Sequence, residues 1–263
     1  MKKFIYVRNS LDWHKISNIE EFIKANVNCR DLLKIWMPKI IDFIEKWNNE
    51  FPISYFKFRA KMKDITLESI KNINDISVIN KSKEYMLKDD YLLYIIDDDD
   101  WVAPNIFDEI QKQLKEQDDI FVWRFGYLDK QFKITDWDQK IDNIKWSYSN
   151  NCVVTNKGYQ KLKYWCKKCD FLEDHRKMDV FIQKHPFEIN VMKNVLSVYN
   201  QSPASATKIW DFTKNSSNIK NLFNEYEICP ILPQEVNWAL PYIIKMWDLI
   251  KKNKNKIKNK IYI

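Results

Sequence analysis

Four carboxylates stand side by side at Asp97-Asp98-Asp99-Asp100, directly after the apolar run Tyr91-Leu-Leu-Tyr-Ile-Ile96. Like charges this close disfavour one another's ionised state unless a cation sits among them. Carboxylate oxygens are the hard donors that Mg2+ and Mn2+ prefer, and those ions commonly share their shell with substrate phosphates. In an extended chain, successive side chains point to opposite sides. Asp97 and Asp99 are therefore the expected pair on one metal ion, and Asp98 is left for a ribose hydroxyl. The plainer alternative is a solvated acidic loop. Ligands of open α/β sheets gather at the carboxyl ends of the strands, and this run follows a strand end, which favours the metal reading.

The elements that must hold this run can be sketched from pattern alone. Phe4-Ile5-Tyr6-Val7 reads as a first strand and Tyr91–Ile96 as a central one, continuous and apolar as strands covered on both faces are. Ile53-Ser-Tyr-Phe-Lys-Phe58, Ile76–Ile79, Ile120–Phe125, Cys152–Thr155 and Val195–Tyr199 read as further strands. Helical spacing is expected at Ile19–Ala25, Asp31–Asn48 (with Pro38 as a break), Thr66–Ile73, Pro104–Glu116, Lys157–Cys169 and Asp179–Lys184. A last helix is expected from Pro233 to Lys252. Strands alternating with helices imply an α/β layered sheet, mainly parallel. The chain divides into a catalytic domain over 1–207 and a helical extension with a basic tail over 208–263.

Composition narrows the function classes. Only 2 glycines occur in 263 residues, and neither G-x-G-x-x-G nor G-x-x-x-x-G-K is present, so dinucleotide and P-loop modes of phosphate binding are excluded. A nucleotide would have to be held through a metal instead. The five cysteines, Cys29, Cys152, Cys166, Cys169 and Cys229, are expected as thiols in a reducing cytoplasm, since the N-terminal apolar run is short and meets Arg8. Cys166-Lys-Lys-Cys169 has no second pair and is no zinc site by itself. No run approaches the roughly 18 apolar residues of a membrane span.

The segment Tyr94-Ile-Ile-Asp-Asp-Asp-Asp-Trp-Val-Ala-Pro-Asn105 resembles the D-x-D segment of GT-A glycosyltransferases of the family-2 kind. More narrowly, the strand ending in Arg8 and the helix from Arg30 toward Pro38 resemble rhamnosyltransferases. The resemblance covers about residues 1–207. It implies the GT-A fold, a nucleotide-sugar donor, Mn2+ or Mg2+ as cofactor, and a glycan or lipid-linked glycan acceptor, in bacterial surface polysaccharide synthesis, with no nucleic-acid partner. It also implies Arg8, Asp97 and Asp98 on the donor. The usual Asp after the second strand is missing, and Arg59 stands in that region instead.

Glu173-Asp174 resembles the family's E-D pair, in which one carboxylate is the general base. Transfer with inversion needs such a group to take the acceptor's hydroxyl proton. Asp174 is the choice over Glu173; the competing reading is a helix N-cap. Ser149-Asn150-Asn151 matches the position of acceptor contacts, with Ser149 and Asn150 as the candidates, or forms an ordinary turn. Trp101 and Trp146 are candidates for stacking on a sugar ring or for the core. His175, beside the E-D pair, is an acceptor-side candidate. His185, before Pro186, reads as structural. The late metal-binding His of many relatives is replaced by Asn200-Gln201-Ser202-Pro203, so the third ligand is absent or is an amide oxygen.

Two other classes compete with this reading. A non-catalytic calcium- or carbohydrate-binding protein is disfavoured because an EF-hand loop would need Asp or Asn where Trp101 stands. A haloacid-dehalogenase-like phosphatase carries its D-x-D after the first strand, not near residue 97. The net charge is +7, and residues 251–263 hold six lysines and no acid. That tail, behind the apolar residues Leu240 to Ile250, is a candidate for peripheral contact with anionic lipid, against the alternative of a tail behind a helix packed on the domain.

Overall fold

The computed structural model describes residues 1–8, 50–128, 134–136, 149–165, 167, 172, 184–200 and 234–261. Among these, eight strands form one sheet. They are β1 (Lys2–Arg8), β2 (Ile76–Ile79), β3 (Tyr91–Asp97), β4 (Trp101–Val102), β5 (Ile120–Leu128), β6 (Ile134–Asp136), β7 (Cys152–Thr155) and β8 (Ile189–Asn200). The order is β2-β1-β3-β7-β5-β8-β4, with β6 paired to β5. The long ladders, β1 with β2, β1 with β3 and β5 with β8, are parallel. The short ones, β3 with β7, β5 with β7, β5 with β6 and β4 with β8, are antiparallel. The α/β class is as expected, and the sheet is mixed, with parallel long ladders and antiparallel short ones.

β3 shows why the apolar run had to be central. Tyr91, Leu93 and Ile95 enter the core on one face, with Phe4 and Tyr6 of β1 and with Tyr159 and Leu162 of helix α3 (Asn156–Trp165). Leu92, Tyr94 and Ile96 enter the core on the other face. There they meet Ile70 of α1 (Glu50–Lys71) and Ile106, Phe107 and Ile110 of α2 (Ile106–Gln113). A strand covered on both faces has no position for a polar side chain until it leaves the sheet, and the aspartates begin there.

The strand expected over Ile53–Phe58 does not exist: those residues lie inside α1. Pro52 stands in the first turn, where its missing N–H costs no hydrogen bond. Downstream, Met62, Ile65, Thr66, Ser69 and Ile70 are all buried, the i, i+3, i+4, i+7, i+8 spacing of an amphipathic helix. The β-branched and aromatic content of Ile53–Phe58 reads as strand locally, and packing of the continuous helical face overrides it. The expected helix over Thr66–Ile73 is the end of this same element. The elements expected at Ile19–Ala25 and Asp31–Asn48 lie outside the described residues, as does all of Asp179–Lys184 but Lys184.

A third cluster joins Met62 and Ile65 of α1, Trp101, Val195 and Val198 to Val236, Ala239, Tyr242, Ile243, Met246 and Trp247. The last four belong to α4 (Leu240–Ile261), which is preceded by a 3-10 turn over Gln234–Ala239. Asn72 donates to Tyr242 Oη at 2.7 Å, and Lys245 pairs with Glu68. The apolar stripe of the last helix is therefore core, and the helix continues through most of the basic tail. No described helix is long and apolar enough to cross a membrane.

Candidate functional site

The acidic run sits where strand ends meet. Arg8 closes β1, and it is the register partner of Asp97, which closes the adjacent parallel strand β3. The pairing sets their side chains together: Arg8 Nη2 lies 2.8 Å from Asp97 Oδ1. Arg8 is buried and Asp97 keeps 29% of its side-chain exposure. Two sequence-derived donor residues thus meet, and Arg8 offsets one of the four negative charges.

The chain does not stay extended after Asp97. Asp100 N–H donates to the Asp97 carbonyl at 3.2 Å, closing a turn over residues 97–100. Asp at the first position suits such a turn. The expectation that Asp97 and Asp99 share a side by strand alternation therefore lacks its geometric basis. Asp98, Asp99 and Asp100 are buried, and Asp97 is the most accessible of the four. Asp100 has a structural duty: its Oδ1 accepts the backbone N–H of Asn200 at 2.7 Å. That bond ties the acidic turn to the end of β8.

An irregularity in β8 makes this contact possible. Trp123 of β5 faces Met192, Arg124 faces Val195 and Phe125 faces Ser197, so β8 inserts extra residues against a regular partner. A bulge of this kind shifts which residues reach which face. It frees the Leu196 carbonyl to accept Ala103 N–H at 2.8 Å, just before α2, and carries Ser197–Asn200 alongside the acidic turn.

Beneath the turn lies a buried polar layer. Tyr94 Oη donates to the Asn150 carbonyl at 2.6 Å, and its ring meets Trp123 edge-on at 5.5 Å. Trp123 Nε1 donates to Ser197 Oγ at 2.9 Å, and Asn151 Nδ2 donates to the Trp123 carbonyl at 3.0 Å. The 3-10 turn Ser149–Asn151 packs against β3, β5 and β8. Burial, reinforced by the nearby Asp100 charge, pushes the Tyr94 hydroxyl well above its ordinary pKa. Tyr94 is thus held as a neutral donor. Asn150 is fully buried, and among the described residues neither side-chain amide atom has a hydrogen-bond partner.

The other sequence-derived candidates divide. Trp101 is not a stacking platform: it is 1% exposed, packed on Tyr242 with ring centroids 6.1 Å apart. A ring without an exposed face cannot receive a sugar. Arg59 lies within α1 rather than in a loop after a strand, so its expected setting was wrong; its side chain is outside the described part, as is that of Ser149. Glu173, Asp174, His175, Trp146 and the loop from Gln201 onward also lie outside it. His185 stacks on Trp165 at 4.4 Å, the structural role expected of it. Sequence reasoning missed Tyr94, Trp123 and Ser197. A tyrosine in the middle of an apolar strand was the available signal for Tyr94. Asn200, which opens the segment that stands in place of the late metal-binding His, meets Asp100 through its backbone N–H.

Among the described residues, no three His, Cys, Asp or Glu side chains converge as a metal-binding group. The donors present are hard oxygens, the type Mg2+ and Mn2+ accept, and such ions are commonly held by one or two carboxylates plus substrate phosphates and water. The acidic turn fits that incomplete kind of site and does not fit an all-protein cage. No family model matches the chain, and no curated protein is significantly similar to it.

Proposed function

We propose that this chain is a metal-dependent GT-A-type glycosyltransferase that moves a sugar, with inversion, from a nucleotide-sugar donor to a glycan or lipid-linked glycan acceptor. The observation that carries the reading is the acidic turn Asp97–Asp100 at the carboxyl end of the central strand, with Arg8 held against it by the neighbouring parallel strand. Strand carboxyl ends are where open α/β sheets bind ligands, and a nucleoside diphosphate lacking a glycine-rich loop needs cations.

In this reading Asp97 and Asp99, paired by the D-x-D resemblance rather than by strand alternation, would hold Mn2+ or Mg2+, and Asp98 would bond the ribose. When bound, the ion stabilises the charge that develops on the departing diphosphate. Arg8 adds a fixed positive charge beside Asp97 and orients its carboxylate. Asp100, bonded to Asn200, fixes the turn's far end, so the two outer carboxylates are anchored to different strands. Tyr94 and the Asn150–Asn151 turn brace the floor from below. Asp174, with Glu173 as its neighbour, takes the proton of the attacking acceptor hydroxyl. Asn150 belongs to the acceptor side, as a buried amide under the site.

The test is a thermal-shift series with UDP-, GDP-, dTDP- and CMP-sugars, with and without Mn2+. One donor should raise Tm only when the metal is present, and Asp97→Ala and Asp99→Ala should lose that rise and all transfer while staying folded. No shift with any donor, or full transfer by both variants in saturating EDTA, would overturn the proposal.

A further inference from the structure

We propose that the exposed end of α3 is a docking surface for an anionic lipid bilayer. The chain from Asn156 to Cys169 contains five lysines and no acidic residue. The first turns of α3 send Tyr159 and Leu162 into the core. Its last turn then leaves Lys163, Tyr164 and Trp165 exposed together, Tyr164 at 65% and Trp165 at 43%. Trp165 rests one ring face on His185 and leaves the rest of the indole exposed, and Tyr164 beside it stands in solvent. Their rings pack edge to face at 5.1 Å, and Lys167 Nζ lies 5.6 Å from the Tyr164 centroid.

The charge around the pair is in excess. Among the described residues, Lys157 and Lys161 face the buried Asp119, and Lys81 and Lys163 face Glu84. At the aromatic end itself, Lys81 and Lys163 share the single carboxylate of Glu84 and Lys167 lies over Tyr164, so among the described residues three lysines face one carboxylate, an excess of about two positive charges. Tyr and Trp with lysines is the composition that settles at the headgroup level of a bilayer, rings in the interface and ammonium groups on the phosphates. Charge complementarity therefore selects anionic lipid as the occupant.

The geometry also separates this surface from the C-terminal helix. α3 packs on the sheet face lined by Tyr91 and Leu93. α4 packs with α1, whose Ile70 belongs to the opposite face. The apolar residues Tyr242, Ile243, Met246 and Trp247 are core and cannot enter lipid without unfolding that layer. The tail can offer lysines, but the exposed aromatic pair Tyr164–Trp165 is on α3.

The experiment is co-sedimentation of the full chain with phosphatidylglycerol/phosphatidylcholine vesicles and with pure phosphatidylcholine vesicles, at low and high salt. The wild type should partition to the anionic vesicles at low salt and be released by high salt. Lys163→Gln combined with Lys167→Gln should weaken partitioning about 30-fold, from roughly fivefold per lysine near a charged surface. Tyr164→Ser, at an exposed position, should weaken it with an unchanged Tm and serves as the fold-independent variant. A chain with the six tail lysines at 251, 252, 254, 256, 258 and 260 changed to Gln should keep most of its binding. The proposal is overturned if the α3 variants partition like wild type, if the tail variant alone abolishes binding, or if duplex DNA or a sulfated polysaccharide displaces the vesicles at equal charge concentration. Binding is read without donor or acceptor, so failure here is separate from failure of the transferase reading.

Discussion

Removing the positive charge at Arg8 isolates the electrostatics of the site. Its guanidinium lies 2.8 Å from Asp97 and is 6% exposed, while the Asp97 side chain keeps 29% exposure. Breaking a buried pair by deleting one partner costs about 3–5 kcal/mol, because the remaining charge stays desolvated. The partial exposure of Asp97 puts Arg8→Met at the low end, about 3 kcal/mol. At about 2–4 °C per kcal/mol for domains of roughly this size, Tm should fall by roughly 6–12 °C. Neutralising the partner removes the stranded charge. The double variant Arg8→Met/Asp97→Asn should therefore be more stable than Arg8→Met alone, with a coupling energy of about 2 kcal/mol in the double-mutant cycle. Urea unfolding followed by tryptophan fluorescence measures all four corners, provided the slopes agree. A coupling energy below about 0.5 kcal/mol, the level of an exposed surface pair, would refute the claim that this contact anchors the acidic turn.

Three further outcomes are expected. Asp174→Asn should keep donor binding by calorimetry and lower turnover about 100-fold or more, as loss of a general base does; a silent Asp174→Asn with a large loss in Glu173→Gln would exchange the two roles. Gly158→Ala should destabilise although alanine favours helices by about 1 kcal/mol, because an added Cβ would sit 2.1 Å from the Asp119 carbonyl oxygen, a backbone atom that cannot step aside; the net loss should be about 2 kcal/mol or more by urea titration, and a more stable variant would disprove the close approach. Burial pushes the Tyr91 hydroxyl up to about 12 from 10.0, so the unfolded chain loses this proton first; stability from this group is intact below pH 10 and falls between pH 10 and 12. Tyr91→Phe should flatten that part of the wild-type decline, measured by urea unfolding at pH 9 and pH 11.

What the sequence determined by itself was local. The run Tyr91–Ile96 had to be a strand covered on both faces, because six successive apolar residues leave no solvent side, and four aspartates could not follow until the chain left the sheet. β1, β5 and β7 were legible for the same reason, and β2 from its short apolar run, whereas the meeting of Arg8 with Asp97 came only from the register of β1 on β3. What only the tertiary structure decided was nonlocal. Ile53–Phe58 has strand-like residues, yet it is helical because the face continued by Met62, Ile65 and Ile70 packs against distant elements. Trp101 follows the aspartates and invites a ligand role, yet Tyr242, far along the chain, covers it. Asn150 and Asn200 come beneath and beside the acidic turn because β7 threads between β3 and β5 and because β8 bulges against β5. Turn closure at Asp100 overruled the simple alternation of side chains. Periodicity records which residues seek the core, but register shifts and long-range packing choose their neighbours, and those depend on the whole sheet being assembled.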